Sequence, residues 1–254
     1  MPLGANETLL IGSDAAEAAR LAASRVVETL AWPGDSRSVA LAGGSTPAQL
    51  YSLLAEPPWR ERVPWDSVHW FWGDERIVPP DHSDSNYRMA MEKLLRPLNI
   101  PADRIHRMPT DESDLDSAAD LYERTIRSVV TAGGSGIPAF DLILLGIGND
   151  GHTASLFPDS QALRESMRLV VPNFAPSQNA WRMTLTFPLL AAARHLLFLV
   201  TGSGKAEVMT RILASTIQDD RHELPAAILR DASAQITWVL DQGAAEVVVA
   251  SGLS

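Results

Sequence analysis

With 254 residues and 46% hydrophobic side chains, the chain can bury a full core, in one large α/β domain or two small ones. Its net charge of -10 at pH 7 argues against a nucleic-acid partner, because phosphate backbones are bound by clustered lysine and arginine. The absence of cysteine excludes disulfides, thiolate metal sites and cysteine nucleophiles. No apolar run is long enough to cross a bilayer, and the amino terminus lacks a signal-peptide pattern. We therefore expect a soluble, cytoplasmic protein with no membrane partner.

The first motif is a double glycine that follows a short strand. Apolar residues at helical spacing predict a helix over 14–31, and the run 38–42 is typical of a β-strand. The strand leads into a loop of small residues, Gly43, Gly44, Ser45 and Thr46. Thr46 as N-cap and Pro47 at the first helical position predict a second helix, whose free N–H groups can bind an anion or a polar ligand. A purely structural turn is the alternative.

Charged residues follow the next predicted strand. The aromatic-rich run 68–72 predicts a strand whose rings belong to the core. Asp74, Glu75 and Arg76 come directly after it. They either bind a ligand or form a solvated acidic corner in which Arg76 pairs with a neighbour. Three further elements are predicted before the centre of the chain: a helix capped near Asp84 or Ser85, a short strand over 105–108 and an amphipathic helix over 113–131.

The most informative stretch is DLILLGIGNDGHTASLFP, residues 141–158. Its apolar start predicts a strand covered on both faces, so the glycine-rich loop after it lies at a strand's carboxyl end. In open α/β sheets, ligands bind in the crevice outside those ends. Asp150 and His152, with the hydroxyls of Thr153 and Ser155, are therefore expected to meet a small substrate. The alternative is an ordinary polar turn with an inert histidine.

The rest of the chain adds two basic residues to the candidate site. The remaining elements are predicted strands over 169–171, 183–187, 195–200 and 236–240 and a helix over 242–250. Arg182 stands at the edge of the second of these strands. Lys205 lies in a glycine loop that follows the third strand and leads into a helix. This loop is not a nucleotide P-loop, because the GxxxxGK[ST] spacing is missing.

Five motifs in this order resemble the 6-phosphogluconolactonase family. They are LAGGSTP at 41–47, GDERIVPPDHSDSNY at 73–87, LLGIGNDGHTASLFP at 144–158, RMTLTFPLL at 182–190 and GSGK at 202–205. Ala42 stands where the family often has serine, and the final helix is less typical of it. The resemblance implies one domain over 1–254 with a Rossmann-like three-layer α/β/α fold and a mostly parallel sheet. That fold is shared with the glucosamine-6-phosphate deaminases and related sugar-phosphate isomerases.

The related deaminases are the main alternative function. In them the DGH motif is followed by a segment resembling IAFNEP, whose glutamate assists the histidine, whereas here no carboxylate precedes Asp159. The deaminases also tend to carry an aromatic residue where Arg76 stands. Both differences favour the lactonase. A sugar-phosphate-sensing regulator is a further alternative, but such proteins carry a DNA-binding helical module for which this acidic chain has no room.

The resemblance implies hydrolysis of 6-phospho-D-glucono-1,5-lactone to 6-phospho-D-gluconate in the oxidative pentose phosphate pathway. We expect His152 to activate water, Asp150 to orient His152, and Arg76 to stabilise the oxyanion. The predicted substrate-binding residues are Gly43, Gly44, Ser45, Thr46, Asp74, Glu75, Arg182 and Lys205, the last two for the phosphate. No metal or other cofactor is expected, because no ligand spacing stands out among the histidines. The predicted partner is the sugar-phosphate lactone alone, with the protein a monomer or a small homo-oligomer.

Overall fold

The centre of the molecule is a parallel β-sheet. The computed structural model describes residues 3–31, 36–215 and 223–250. The strands in this part of the chain are β1 (Glu7–Gly12), β2 (Arg37–Leu41), β3 (Val68–Trp72), β4 (Asp74–Arg76), β5 (Leu142–Leu145), β6 (Val170–Ala175), β7 (Ala180–Leu185), β8 (His195–Val200) and β9 (Gln235–Asp241). Six of them form the parallel sheet in the order β1-β9-β8-β5-β2-β3. A small antiparallel sheet has the order β4-β7-β6.

Helices flank the parallel sheet, which confirms the Rossmann-like α/β fold. The described α-helices are α1 (Ala15–Leu30), α2 (Ser45–Leu54), α3 (Asn86–Ala90), α4 (Leu115–Val129), α5 (Phe187–Ala191), α6 (Ala206–Ala214), α7 (Pro225–Ile228) and α8 (Gln242–Ala250). A π-helical turn, Met91–Leu95, continues α3. Short 3₁₀ turns cover Trp59–Glu61, Trp65–Ser67, Ala102–Arg104, Gln161–Arg164, Pro176–Gln178, Ser203–Lys205 and Leu229–Asp231. Among the described residues, no helix has the length and apolarity needed to cross a membrane.

Local sequence explains why several elements form where they do. At the start of α1, Asp14 accepts a hydrogen bond from the backbone N–H of Glu17 at 2.8 Å, and Glu17 accepts one from the N–H of Ser13 at 2.6 Å. The first bond satisfies an N–H group of the first helical turn, and the second ties the preceding residue to the helix. The aromatic run of β3 lies in the core as predicted, since Trp70 and Trp72 are 1% and 0% exposed.

Three local predictions were wrong. Helix α2 begins two residues early, at Ser45, with Gly44 at φ +105° as its N-cap in place of Thr46. The expected strand over 105–108 is reduced to a single bridge between Ile105 and Trp70. The strand predicted over 183–187 ends at Leu185 in β7, because the next residues begin α5.

The order of the strands opens a crevice between β2 and β5. From β2 the chain goes first to β3 on one side and later to β5 on the other. The carboxyl ends of β2 and β5 therefore lie at the point where the winding changes direction, which is where open α/β sheets bind ligands. The loops that leave these strands begin at Ala42 and Gly146. These two glycine loops thus face one crevice.

The small antiparallel sheet begins beside this crevice. Gly73 donates its N–H to the carbonyl of Leu41, the last residue of β2, at 2.9 Å. Its own carbonyl accepts the N–H of Leu185, the last residue of β7, also at 2.9 Å. Strand β4 follows Gly73 directly, so Asp74 and Arg76 enter the site from the end of β3, next to the end of β2.

Candidate active site

The crevice contains a cavity of about 280 Å³. Five residues predicted to act in the site line it: Gly43, Asp74, Arg76, His152 and Lys205. They come from the segments that follow β2, β3, β5 and β8, and the carboxyl ends of these parallel strands lie at one edge of the sheet. The cavity is therefore lined by a histidine, a carboxylate and two basic groups.

His152 is held by its neighbour Asp150. The Asp150 Oδ1 atom lies 2.5 Å from Nδ1 of His152 and 3.2 Å from its backbone nitrogen. A carboxylate can only accept here, so Nδ1 carries the proton and Nε2 is left with its lone pair. The ring also packs on Phe157, with the ring centroids 4.5 Å apart. The contact with Asp150 thus selects the tautomer of the neutral ring in which Nε2 can accept a proton.

A tight turn sets the position of the pair. Gly148 donates to the carbonyl of His152 at 2.9 Å, and Gly151 donates to the carbonyl of Gly148 at 3.0 Å. Gly151 has φ +80°, a conformation that glycine adopts without strain. The turn therefore explains the glycine at position 151.

The hydroxyls of Thr153 and Ser155 do not face the cavity. Thr153 is 0% exposed and donates to the carbonyl of Gly146 at 2.9 Å. Ser155 is 1% exposed and donates to Oδ2 of Asp74 at 2.6 Å. The expectation that these hydroxyls meet the substrate was wrong, because both are used to tie the loop to the rest of the fold.

Glu75 is a structural residue in this arrangement. It is 2% exposed, and its carboxylate accepts the backbone N–H groups of Arg76, Asn86 and Tyr87 at 2.7–2.8 Å and the hydroxyl of Ser85 at 3.2 Å. Burial raises the pKa of Glu75, while the three N–H groups act in the opposite direction. The carboxylate thus organises the start of α3 and leaves no oxygen for a sugar hydroxyl, which corrects its predicted role.

Arg76 and Arg182 stand side by side on the small sheet. Their Cα atoms are register partners across β4 and β7. Arg76 donates to the carbonyl of Asp84 at 2.6 Å, and Arg182 donates to the side chain of Gln178. Burial lowers the pKa of Arg182, and the charge of Arg76 adds to this effect. Arg182 lines a neighbouring crevice of about 590 Å³ that shares Arg76 with the first cavity.

Three further predicted residues lie at the N-cap and in the first turn of α2. Gly44 and Ser45 are exposed, and Thr46 shares a hydrogen bond of 3.0 Å with the hydroxyl of Thr201. They adjoin the loop of Lys205 without lining the cavity. Partial burial lowers the pKa of Lys205, and Asp150 acts in the opposite direction. Of the GGST loop, the structure brings Gly43 into the cavity wall and leaves the other three beside it.

A second cavity, of about 530 Å³, lies at the opposite edge of the parallel sheet. Its charged groups pair with one another: Arg25 lies 2.9 Å from Glu28, and Arg37 and Arg194 each lie 3.6 Å from Asp141. None of the predicted site residues lies there. In the described part of the chain, no three His, Asp or Glu side chains form a group that could hold a metal ion.

Comparison with known proteins shows the family to which the chain belongs. The family model for glucosamine-6-phosphate isomerases and 6-phosphogluconolactonases matches residues 13–238. The chain belongs to this family. It is 41% identical to a 6-phosphogluconolactonase of Synechocystis over 223 residues, which are 88% of this chain and 89% of that protein.

Solved structures of the family have the same fold. The 6-phosphogluconolactonase of Trypanosoma cruzi is 35% identical, with a TM-score of 0.84 over 97% of each chain. A monomeric glucosamine-6-phosphate deaminase is 21% identical, with a TM-score of 0.80 over 94% of this chain and 99% of that one. The latter likeness concerns the fold alone, whereas the sequence similarity lies with the lactonases.

Four buried polar residues hold Asp74 or the loop after His152 in place through contacts that the sequence analysis did not predict. They are Asn86, Ser155, Asn173 and Thr184, each 5% exposed or less. Asn86 lines the cavity, and its Oδ1 atom is buried without a hydrogen-bond partner in the described structure. A Cβ on Gly43 would stand 1.8 Å from that oxygen, so position 43 admits only glycine. The one local signal was polar residues inside apolar strands, at Asn173 and Thr184.

Proposed function

We propose that the protein hydrolyses 6-phospho-D-glucono-1,5-lactone to 6-phospho-D-gluconate, a step of the oxidative pentose phosphate pathway. One observation carries the proposal: Asp150 holds His152 by Nδ1 in a cavity that also contains Arg76 and Lys205. Ester hydrolysis of an anionic sugar requires a base for water, a donor for the oxyanion and a cation for the phosphate. The cavity supplies one candidate for each. The relatives' printed activity is the same reaction class.

In the proposed reaction, Nε2 of His152 takes a proton from water as the oxygen of that water bonds to the lactone carbonyl carbon. Arg76 and loop N–H groups stabilise the negative charge on the carbonyl oxygen. The bond between the carbonyl carbon and the ring oxygen then breaks, and the imidazolium returns its proton to the departing alkoxide. Asp150 stabilises the imidazolium and keeps its orientation. No cofactor takes part in these steps.

The substrate contacts are assigned by charge and position. Lys205 binds the phosphate from inside the cavity, and Arg182 adds a second cation from the neighbouring crevice. Gly43 and the first turn of α2, Gly44 to Thr46, approach the sugar phosphate with backbone N–H groups. Asp74 accepts a sugar hydroxyl. Localisation in the cytoplasm and a monomeric or small oligomeric state stay predictions.

The deaminase is the second candidate, and one feature of the site disfavours it. Between His152 and Asp159 the loop has no carboxylate, and its hydroxyls at Thr153 and Ser155 are buried in other contacts. No group of that loop can therefore assist His152 as the glutamate of the deaminase motif does. The fold similarity to a deaminase does not supply the missing group.

To test the proposal, the purified protein is assayed with freshly made 6-phosphogluconolactone and, separately, with glucosamine 6-phosphate. We expect lactone opening well above the spontaneous rate and no ammonia. His152→Ala should lower kcat by roughly 10²- to 10⁴-fold with an unchanged melting temperature. His82→Ala, at an exposed histidine, is the matched control. Ammonia release without lactonase activity would establish the deaminase instead.

A further inference from the structure

Two buried side chains donate hydrogen bonds to Asp74, one from the start of α3 and one from the loop after β5. Asn86 Nδ2 donates to its backbone carbonyl at 2.9 Å, and Ser155 Oγ donates to its Oδ2 atom at 2.6 Å. Asn86 and Ser155 are each 1% exposed. The backbone of Asp74 and one carboxylate oxygen are therefore fixed, and Oδ1 is left for other partners.

Ser155 is itself held without the use of its hydroxyl. Its N–H donates to Thr184 Oγ1 at 3.2 Å, and its carbonyl accepts from Asn173 Nδ2 at 2.8 Å. Thr184 donates its own proton to the carbonyl of Leu185 at 3.0 Å, which leaves its oxygen free to accept. Backbone contacts thus fix the position of Ser155, and its hydroxyl donates its proton to Asp74.

We propose that Ser155 is a positioning residue that aims the carboxylate of Asp74 into the cavity and ties it to the loop of His152. Ser155 follows His152 by three residues, so one hydroxyl links the histidine loop to the end of β3. Hydrogen bonds to ionised groups are shorter and stronger than neutral ones, and 2.6 Å lies in that range. The inference rests on the proposed function, in which Asp74 accepts a hydroxyl of the sugar.

Ser155→Ala is a selective test because it removes the hydroxyl and keeps both backbone contacts. The first measurement is the dissociation constant of 6-phosphogluconate, by titration calorimetry, since it needs no turnover. We expect Ser155→Ala to bind about 10- to 100-fold more weakly, the usual effect of losing a hydrogen bond to a charged group. The dissociation constant of Ser155→Cys, whose thiol is a weaker donor, should lie between those of the wild-type protein and Ser155→Ala. Ser160→Ala is the control, because the buried Ser160 hydroxyl has no partner in the described structure.

A double-mutant cycle separates positioning from a general structural effect. If Ser155 acts through Asp74, then Ser155→Ala in the Asp74→Ala background should change binding by less than about threefold. The inference is overturned if the two losses add, or if Ser155→Ala and Ser160→Ala behave alike. Lactone turnover by the wild-type protein is measured in parallel. Its absence would refute the proposed function, whereas the binding cycle reports on Ser155 independently of turnover.

Discussion

Gly148 lies directly against the ring of His152. A Cβ built on Gly148 would stand 2.1 Å from Nδ1 of His152 and 2.6 Å from Oδ1 of Asp150. Gly148 does not have a positive φ, so its backbone alone would admit other residues. The glycine is therefore required by the close approach of the imidazole. A substitution of Gly148 can therefore move the imidazole of His152 without removing it.

Gly148→Ala should lower kcat by about 10²-fold or more, because displacement of a catalytic group by about 1 Å is enough for that loss. The melting temperature should change little, since partly exposed side chains can move aside. Steady-state kinetics measures kcat, and scanning calorimetry measures the melting temperature. Gly134→Ala is the control, as a Cβ there would meet nothing within 4 Å. A Gly148→Ala enzyme with wild-type kcat would show that the Asp150 contact is dispensable.

Lys205→Ala should reduce kcat/KM on the phosphorylated lactone by about 10- to 100-fold, through loss of a charged hydrogen bond. The low rate on unphosphorylated gluconolactone should barely change. Arg182→Ala should behave in the same way, and Arg182→Lys should recover only part, because an ammonium cannot copy a planar fork. Lys93→Ala, at an exposed lysine, is the control. Equal kcat/KM of the wild-type protein on the two lactones would remove the phosphate role from both residues.

Glu75→Gln should destabilise the protein by about 1 to 3 kcal/mol, because an amide places N–H groups against buried donors. For a chain of this size that corresponds to a fall in melting temperature of roughly 2 to 12 °C. Glu112→Gln, at an exposed site, should leave it unchanged. A stable Glu75→Gln variant with a raised KM would contradict the structural role and return Glu75 to the substrate.

A chain of three basic side chains runs along the edge strand β3. Arg104 Nη1 lies 2.5 Å from His69 Nε2, and His69 Nδ1 lies 2.9 Å from His106 Nε2. Arginine can only donate, so His69 donates from Nδ1 and His106 accepts with its lone pair. Burial lowers the pKa of His106 to about 4, with His69 and Arg104 adding to the effect and Asp103 opposing it.

This chain should make stability depend on pH. The folded protein binds fewer protons at His106 than the unfolded chain does between pH 6.5 and about 4. The free energy of unfolding should therefore be highest above pH 6.5 and fall as the pH drops through this window. His106→Phe, which retains an aromatic ring against Phe71, should weaken the dependence, and the exposed His82→Asn should not. Urea titrations at pH 7 and pH 5 give the free energy of unfolding of the wild-type protein and of the two variants. The same change between the two pH values in all three proteins would contradict the prediction.

The elements that the sequence predicted well have strong local signals. β3 and β8 occupy the predicted ranges 68–72 and 195–200, since both are nearly continuous apolar runs buried in the sheet. β1 was not predicted. Among the described strands it lies at the edge of the sheet, next to β9, and it is mostly half-exposed, so its pattern does not reveal a strand.

By itself the sequence determined the chemistry available at each strand end: a histidine with its aspartate, charged residues after β3 and a lysine after β8. The winding order of the sheet decided which of them meet. Gly43, Asp74, Arg76, His152 and Lys205 share a cavity, while Glu75 faces the start of α3 and Arg182 lies in the neighbouring crevice. The physical reason is that the sequence signals are local, whereas the contacts of the site are long-range. Periodicity and capping act over a few residues, whereas the hydrogen bond from Ser155 to Asp74 spans 81 positions and exists only in the folded chain.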